Sequence, residues 1–288
     1  MKIALFGTGL LGFPMGERIL DMDHQLVVFN RTREKAEPLK ALGAEIAEHP
    51  HDALRSSECA ILMLADAQAI REVLLSPRSR RELSGRTVIQ MGTISPTEST
   101  AFNTEVLNAG GDYFEAPVLG SITEAKEGTL ILMVGASSEQ FERWLEFLTC
   151  FGPDPLLIGP VGHASGLKLA LNQFIASLAA CFALSLGFVQ RRGINVDLFL
   201  NILRGSPLYA PFFDRKLERM ISRNHSNPFF FTKNLAKDID LFLDEARSMN
   251  METAGLEGVS RLVSMAVDKG YAEQDYSALI DITAPEVK

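Results

Sequence analysis

The chain is poor in cysteine, in tryptophan and in positive charge. Its 288 residues hold one tryptophan and three isolated cysteines, Cys59, Cys150 and Cys181, with no C-x-x-C pair. This cysteine usage indicates a reducing compartment and no disulfide framework. Lysine and arginine number 28 against 36 acidic residues, for a formal charge of −8, so neither nucleic acid nor an anionic membrane is expected as the main partner.

Several functional signals are also missing. Lys2 is followed by a short apolar run and then by glycines, too short for the apolar region of a signal peptide, which predicts a cytoplasmic protein. His49, His51 and Cys59 lack the spacing of metal ligands, so no metal site is expected. The chain has no G-x-S-x-G, no H-E-x-x-H and no Walker pattern. These absences disfavour the hydrolase and phosphate-transfer activities that depend on such motifs.

One long stretch, residues 162–192, has no charged residue between Lys168 and Arg191. It predicts a single helix that is surrounded nearly everywhere by protein. A membrane span needs about 18 to 20 mostly apolar residues. That alternative is disfavoured because polar residues interrupt several faces of the stretch, and these are Asn172, Gln173, Ser177, Ser185 and Gln190.

Strands and helices alternate before this stretch and only helices follow it. We therefore predict an α/β fold with an N-terminal Rossmann domain, residues 1–161, whose mostly parallel sheet is doubly wound, and an all-α domain, residues 162–288, entered by the long helix. Helices are predicted at 12–22, 50–56, 139–149, 162–192, 196–203, 211–221, 235–248 and 256–269. Strands are predicted at 2–6, 26–29, 44–47, 59–64, 86–91, 129–134 and 155–158.

The first strand runs into the pattern G-x-G-x-x-G, whose six residues are Gly7, Thr8, Gly9, Leu10, Leu11 and Gly12. In such a pattern the first glycine makes a tight turn, the second lets the backbone approach a pyrophosphate, and the third lets helix and strand pack closely. The helix N-terminus adds free N–H groups and a partial positive charge. An ordinary βα turn is the alternative, but the position between a strand and a helix favours dinucleotide binding.

The second strand ends in Asn30, Arg31 and Thr32, where an NAD-preferring fold carries an acidic residue for the ribose diol. Arg31 and the Thr32 hydroxyl can instead hold a 2′-phosphate, which predicts NADP rather than NAD. A solvent-facing arginine with Thr32 as a helix cap is the alternative. At the ends of later strands, Met63, Leu64 and Thr93 are further candidate cofactor contacts.

Lys168 and Asn172 are four residues apart and so share one face of the long helix. We predict that this pair forms the catalytic centre. The alternative is a lysine whose stem packs on the helix while its ammonium reaches solvent. Lys237 and Asp238, early in a later helix, would in isolation be interpreted as a surface ion pair.

Taken together, the motifs resemble the β-hydroxyacid dehydrogenase family, which contains 3-hydroxyisobutyrate dehydrogenases and semialdehyde reductases. The resemblance rests on the glycine pattern with Pro14-Met15, on 30–32, on Ala116-Pro117-Val118, on 162–168 with Asn172, and on Lys237-Asp238. It implies a cofactor and substrate cleft, Lys168 as the catalytic lysine, Asn172 as a substrate-positioning neighbour, and Lys237 near the nicotinamide. It also implies a homodimer or homotetramer.

The loop after Pro117 departs from the family pattern. Val118, Leu119, Gly120 and Ser121 are the predicted substrate-binding residues, and Leu119 stands where the family usually carries serine. Gln173 also stands where a second asparagine is common. The backbone N–H groups of 120 and 121 and the Ser121 hydroxyl can compensate for the missing hydroxyl. A bulkier or less polar aldehyde or keto acid therefore becomes more credible as substrate.

The expected reaction is hydride transfer between NADPH and the carbonyl of a small aldehyde or keto acid, or its reverse, 3-hydroxyacid oxidation. The Lys168 ammonium would stabilise the charge that develops on the carbonyl oxygen and then protonate it. Two alternatives stay open. An imine reductase shares the architecture but generally lacks the lysine, and an NADP-binding regulatory or scaffold protein would have lost efficient chemistry through Leu119.

Overall fold

The structure is a computed structural model and describes residues 1–286. The chain divides into two compact units, Met1–Leu169 and the part from Ala170 onward, so that the division falls within the long helix. The predicted domain boundary at 161/162 stays a prediction.

The N-terminal unit is built on one sheet. Its strands are β1 (Lys2–Phe6), β2 (Gln25–Phe29), β3 (Glu45–Ile46), β4 (Cys59–Leu62), β5 (Thr87–Gln90), β6 (Asp112–Glu115), β7 (Val118–Leu119), β8 (Ile131–Gly135) and β9 (Leu156–Gly159). Six strands in the order β3-β2-β1-β4-β5-β6 pair in parallel. β8 is antiparallel to β6 and β7 and parallel to β9. The order 3-2-1-4-5-6 reverses direction at β1, where doubly wound sheets bind ligands.

Helices cover both faces of this sheet. They are α1 (Gly12–Asp21), α2 (Glu37–Ala41), α3 (Pro50–Arg55), α4 (Ala67–Leu74), α5 (Pro77–Arg81), α6 (Pro96–Asn108), α7 (Ile122–Glu127) and α8 (Ser138–Leu148). The central strands are apolar on both sides because each face meets a helix layer, as β1 illustrates: Leu5 packs in one core cluster and Phe6 in the other. The prediction of a Rossmann domain with a mostly parallel, doubly wound sheet is confirmed.

The second unit is helical, as predicted. Its elements are the greater part of α9 (His163–Arg191), then α10 (Val196–Arg204), α11 (Pro211–Ser222), α12 (Thr232–Ser248), α13 (Ala254–Ala266) and α14 (Leu279–Thr283). A single core cluster includes Phe182 of α9, Phe213 of α11 and Leu243 of α12. The predicted helix 256–269 ends earlier, because a π-helical segment follows at Val267–Tyr271 and Gly270 there adopts φ +92°.

The long helix α9 matches its predicted bounds closely, but the prediction of surroundings made nearly wholly of protein is wrong for the single chain. Phe174, Leu184 and Phe188 are 57%, 58% and 62% exposed. The helix is long and apolar enough to cross a membrane by length and composition, and 44% of its most apolar window is buried. The core helix of a soluble protein passes the same test, so this finding is weak support for a span.

A buried histidine, His225, forms hydrogen bonds with residues near the C-terminal end of the helical unit. The His225 side chain is 2% exposed, and its Nε2 lies 3.1 Å from Asp281 Oδ2 while its Nδ1 lies 2.8 Å from Ser277 Oγ. A carboxylate only accepts, so Nε2 carries the proton and Nδ1 of the neutral ring accepts from Ser277. Burial lowers the pKa of His225 below its ordinary 6.5, against the opposing effect of Asp281.

This burial predicts an acid-sensitive free energy of unfolding. Below about pH 6.5 the unfolded chain binds a proton at His225, whereas the folded chain binds it only at lower pH. The free energy of unfolding is therefore highest above that pH and declines as the pH falls toward the lowered pKa. We expect the melting temperature to fall between pH 7.5 and pH 5.5, and His225→Gln to show a smaller fall. Equal falls in both proteins would show that His225 does not contribute.

Candidate active site

The glycine pattern forms a tight loop between β1 and α1. Gly7 has φ +97°, and a Cβ there would lie 2.4 Å from the Met63 carbonyl oxygen, while a Cβ on Gly12 would lie 2.1 Å from the Gly7 oxygen. Side chains at either position would therefore displace backbone. A Cβ on Gly9 would meet no protein atom within 4 Å. Gly7 thus makes the tight turn, Gly9 leaves the approach to the backbone open, and Gly12 allows close packing against the loop.

Asn30 connects the glycine loop to the loop after β2. Its Oδ1 accepts from the Thr8 N–H at 3.0 Å and its Nδ2 donates to the Thr32 carbonyl at 2.7 Å. The Thr8 hydroxyl is buried and has no hydrogen-bond partner within residues 1–286. Arg31 is exposed and forms no ion pair with any residue that the structure describes.

The neighbouring strands end beside this loop. Met63 and Leu64 lie just past β4, which ends at Leu62 rather than at the predicted 64. The Met63 N–H donates to the Phe6 carbonyl at 2.8 Å, and a Cβ on Gly92 would lie 2.7 Å from the Leu64 oxygen. Thr93 follows Gly92 and is half-buried. The predicted cofactor residues of this unit thus cluster at the carboxyl ends of β1, β2, β4 and β5.

These residues fit a dinucleotide phosphate group. The space over Gly9 is open, and α1 begins at Gly12 without a side-chain cap. The Phe13 N–H donates to the Gly9 carbonyl at 3.1 Å and Pro14 has no N–H, so the N–H groups that remain for an anion are those of residues 10–12. The unpartnered Thr8 hydroxyl supplies a further hydrogen-bond donor. The glycine loop therefore has the shape and the hydrogen-bond donors that the predicted NAD(P)-binding site requires.

The predicted substrate loop is partly a strand. Val118 and Leu119 form β7 and pair with Leu132 and Ile131 of β8, where the sequence predicted only a turn. Val118 is buried and Leu119 half-buried. The reason is that the apolar pair continues the sheet edge before Gly120, at φ +144°, redirects the chain.

Ser121 follows this turn at the start of α7. Its N–H donates to Glu124 Oε2 at 2.8 Å, but its hydroxyl is buried without a partner among residues 1–286. An unsatisfied buried hydroxyl costs about 1–3 kcal/mol, so a hydroxyl left this way is a candidate to bind a ligand.

Lys168 lies in the second turn of α9 and is 8% exposed. This low exposure disfavours the alternative of an ammonium that reaches bulk solvent, which stays open. Asn172 is one turn further along the same helix and is 2% exposed. The structure thus keeps both predicted catalytic side chains buried on one helix face.

Asn172 is held by Asp238 of α12. Its Nδ2 donates to Asp238 Oδ2 at 2.7 Å, and the Lys237 ammonium lies 2.9 Å from Asp238 Oδ1. Because a carboxylate only accepts, this contact fixes the amide orientation, and the Asn172 Oδ1 is buried with no partner inside residues 1–286. Asp238 is 2% exposed, so the interpretation of 237–238 as a surface ion pair is wrong.

Within the described part of the chain, no group of three His, Cys, Asp or Glu side chains is arranged to hold a metal ion. The absence of a metal site stays a prediction. Asp238 entered the sequence analysis only through the family motif, and a charged residue inside an amphipathic helix gives no other signal that it is buried.

Two family models cover the chain. The NAD-binding domain of 6-phosphogluconate dehydrogenase matches residues 2–159, and the NAD-binding region of NADP-dependent 3-hydroxyisobutyrate dehydrogenase matches residues 162–283. The 2-hydroxy-3-oxopropionate reductase of Escherichia coli is 30% identical over 283 residues, which cover 97% of this chain and 96% of that protein.

Solved structures agree in fold. The 3-hydroxyisobutyrate dehydrogenase of Salmonella typhimurium has a TM-score of 0.88 at 19% identity and covers 98% of this chain and 99% of that one. An imine reductase of Myxococcus stipitatus, in complex with NADP+, has a TM-score of 0.68 at 21% identity, covering 98% of this chain and 99% of that one.

Fold and glycine loop together define an NAD(P)-binding oxidoreductase. With both family models matched along the chain, the protein belongs to the β-hydroxyacid dehydrogenase family.

Proposed function

We propose that this protein is an NADPH-dependent reductase of a small aldehyde or keto acid, with Lys168 as general acid and base. The observation that carries the proposal is a lysine buried near the start of α9, one turn from the buried Asn172, on a helix that has no other charged residue between Lys168 and Arg191. Catalytic acids and bases are often held in buried positions, so a buried lysine at this place is a functional candidate.

The preference for NADPH is supported by Arg31. The guanidinium is exposed, carries no ion pair with the described residues, and stands directly after the asparagine that fastens the glycine loop. A 2′-phosphate would give it a charge-assisted contact. NADPH, when bound, supplies the hydride that adds to the substrate carbonyl carbon.

The protein side of the reaction is then proton transfer at Lys168. As the carbonyl oxygen gains negative charge, the Lys168 ammonium stabilises it and donates a proton from Nζ. In the oxidative direction the neutral amine takes the hydroxyl proton. Water is excluded from the lysine because its side chain is buried, which strengthens the electrostatic interaction.

Asn172 is proposed to orient the substrate through its Oδ1. The Asp238 carboxylate occupies the amide N–H side, so the carbonyl side is the one left to accept from a substrate hydroxyl or an ammonium. Lys237 neutralises part of the Asp238 charge and is proposed to lie near the nicotinamide. The contact with Asp238 thus preorganises Asn172 before substrate binds.

The proposed substrate loop favours a carboxylate held by Ser121 rather than by residue 119. The Ser121 hydroxyl is buried and unpartnered among the described residues, whereas the Leu119 side chain offers only apolar contact. A substrate with a less polar or bulkier group beside its carboxylate fits this loop best. The E. coli relative is named a 2-hydroxy-3-oxopropionate reductase, so a short aldehyde acid is the natural starting point.

Leu119→Ser tests this assignment of the loop. The added hydroxyl supplies a hydrogen bond worth about 0.5–1.5 kcal/mol, which corresponds to roughly a threefold to tenfold gain in kcat/KM on the smallest aldehyde acid. NADPH oxidation should be measured over glyoxylate, succinic semialdehyde, and tartronate and methylmalonate semialdehydes. Leu119→Val, which adds no hydroxyl, is the matched control, and no change on glyoxylate would remove residue 119 from the carboxylate site.

The same screen, extended to cyclic imines, decides between the alternatives. The imine reductase resembles this chain less in fold than the dehydrogenase does, and the buried Lys168 favours carbonyl chemistry. Turnover of imines alone would select the imine reductase. NADPH binding with no turnover of any compound would select a regulatory or scaffold protein.

Self-association and location stay predictions. The exposed Phe174, Leu184 and Phe188 on α9 support the homodimer or homotetramer that the family resemblance implies. We retain the predictions of a cytoplasmic protein without a membrane or nucleic-acid partner.

A further inference from the structure

A buried carboxylate outside the proposed site holds the beginning of α9. Glu115, the last residue of β6, is 0% exposed. Its Oε1 accepts from the Gly162 N–H at 2.8 Å and from the Ser165 N–H at 3.0 Å, and its Oε2 accepts from the Ser165 hydroxyl. A strand of the sheet thereby binds the first turn of the helix.

Side chains of α6 and β6 hold the second oxygen, Oε2, of the same carboxylate. The Ser99 hydroxyl donates to Glu115 Oε2, and the Tyr113 hydroxyl lies 3.0 Å from Ser99 Oγ. Burial raises the pKa of the Tyr113 phenol, so that phenol remains a donor to Ser99. Four donors therefore converge on Glu115, which matches the capacity of a carboxylate for hydrogen bonds.

Two glycines let the backbone come close to the Glu115 carboxylate. A Cβ on Gly135, the facing residue of β8, would lie 2.5 Å from Glu115 Oε1. Gly162 has φ +98°, a left-handed conformation that places its N–H at the carboxylate. The negative charge also lies at the positive end of a 29-residue helix.

We propose that Glu115 is a positioning residue for Lys168. Glu115 accepts from two donors of Ser165 on α9 and from one donor of Gly162 directly before it. Lys168 follows Ser165 by three residues, less than one turn of a rigid helix. Fixing that turn fixes where the Lys168 stem leaves the backbone. The inference rests on the proposed function of Lys168 and adds to it the residue that sets the position of the lysine.

The test compares Glu115→Ala with Glu115→Gln. The glutamine keeps the shape: its Oε1 can accept from both N–H groups, and its amide can donate to Ser99 and Ser165. We expect Glu115→Ala to lower kcat by about 10- to 100-fold, since a misplacement of about 1 Å costs a reacting geometry up to the larger factor. NADPH affinity should be unchanged, and Glu115→Gln should restore kcat close to that of the wild type.

Asp112→Ala is the matched control, because Asp112 is on the same strand but binds Gln140 and Arg143 of α8. It should leave kcat unchanged. Amide hydrogen exchange of 163–169 gives a readout without turnover, and it should speed up in Glu115→Ala but not in Asp112→Ala. A kcat that falls equally in both variants, or NADPH affinity that falls with kcat, would overturn the inference.

A pair of smaller changes covers the case in which Glu115→Ala does not fold. Ser165→Ala and Ser99→Ala each remove one hydroxyl donor to Glu115 Oε2, but only Ser165 belongs to α9. Ser165→Ala should lower kcat and speed exchange at 163–169, and Ser99→Ala, which leaves the donors of 162 and 165 in place, should do so to a smaller extent. An equal or larger effect of Ser99→Ala would contradict the inference. Full activity of a Lys168→Ala enzyme would instead refute the proposed function, whatever the Glu115 variants show.

Discussion

Lys168→Ala should lower kcat by about 10²- to 10⁴-fold, the range that a positioned general acid or base contributes. The dissociation constant for NADPH should stay near that of the wild type, because the proposed cofactor contacts lie at the ends of β1, β2, β4 and β5. The lysine is 8% exposed, so no bulk-water proton donor replaces it easily. Single-turnover NADPH oxidation and fluorescence titration of NADPH measure the two quantities separately.

Two control variants sharpen this result. Lys233→Ala removes an exposed lysine, paired with Glu273, from the start of α12 and should retain kcat. Lys168→Arg keeps the positive charge but not a group that gives up its proton near neutral pH, so it should remain slow. Wild-type kcat in Lys168→Ala would show that the lysine is structural.

Arg31→Asp should reverse much of the preference for NADPH over NADH. One charge-assisted hydrogen bond is worth about 1.5–3 kcal/mol, or about one to two decades in affinity. The new carboxylate would also repel a 2′-phosphate and could accept from a ribose diol. The dissociation constant for NADH divided by that for NADPH, each measured by titration, should therefore fall by at least about tenfold.

Arg33→Asp is the matched control for this change. Arg33 is also exposed but is already paired with Glu37, at 3.0 Å, so its replacement should leave the cofactor ratio nearly unchanged. An unchanged ratio in Arg31→Asp would remove the 2′-phosphate argument, and equal changes in both variants would assign the effect to general surface charge.

Local patterns were enough to predict the parts of this fold that depend on neighbouring residues. The glycine loop follows from spacing alone, because a Cβ at Gly7 or Gly12 would lie within 2.4 Å of a backbone oxygen. Ser95-Pro96 is likewise a local pattern typical of a helix start, and Ser95 forms a capping box with Glu98 at the beginning of α6. The bounds of α9 also follow from its charge-free run.

What could not be predicted depends on residues distant in sequence. Glu115 and Asp238 are acidic residues that the sequence alone would leave at the surface, yet each is buried because its donors come from other elements. The exposure of Phe174 and Phe188 could not be predicted either. The sequence of an apolar helix does not show which of its residues pack against the rest of the chain and which stay exposed. Burial of polar groups is a tertiary property.

The most direct measurement is a crystal structure with NADP+ and a non-reacting hydroxy acid bound. The proposed function predicts the Lys168 Nζ within about 2.6–3.2 Å of the substrate hydroxyl oxygen, the reach of a general acid or base. An amine directed away from that oxygen into bulk water would contradict it.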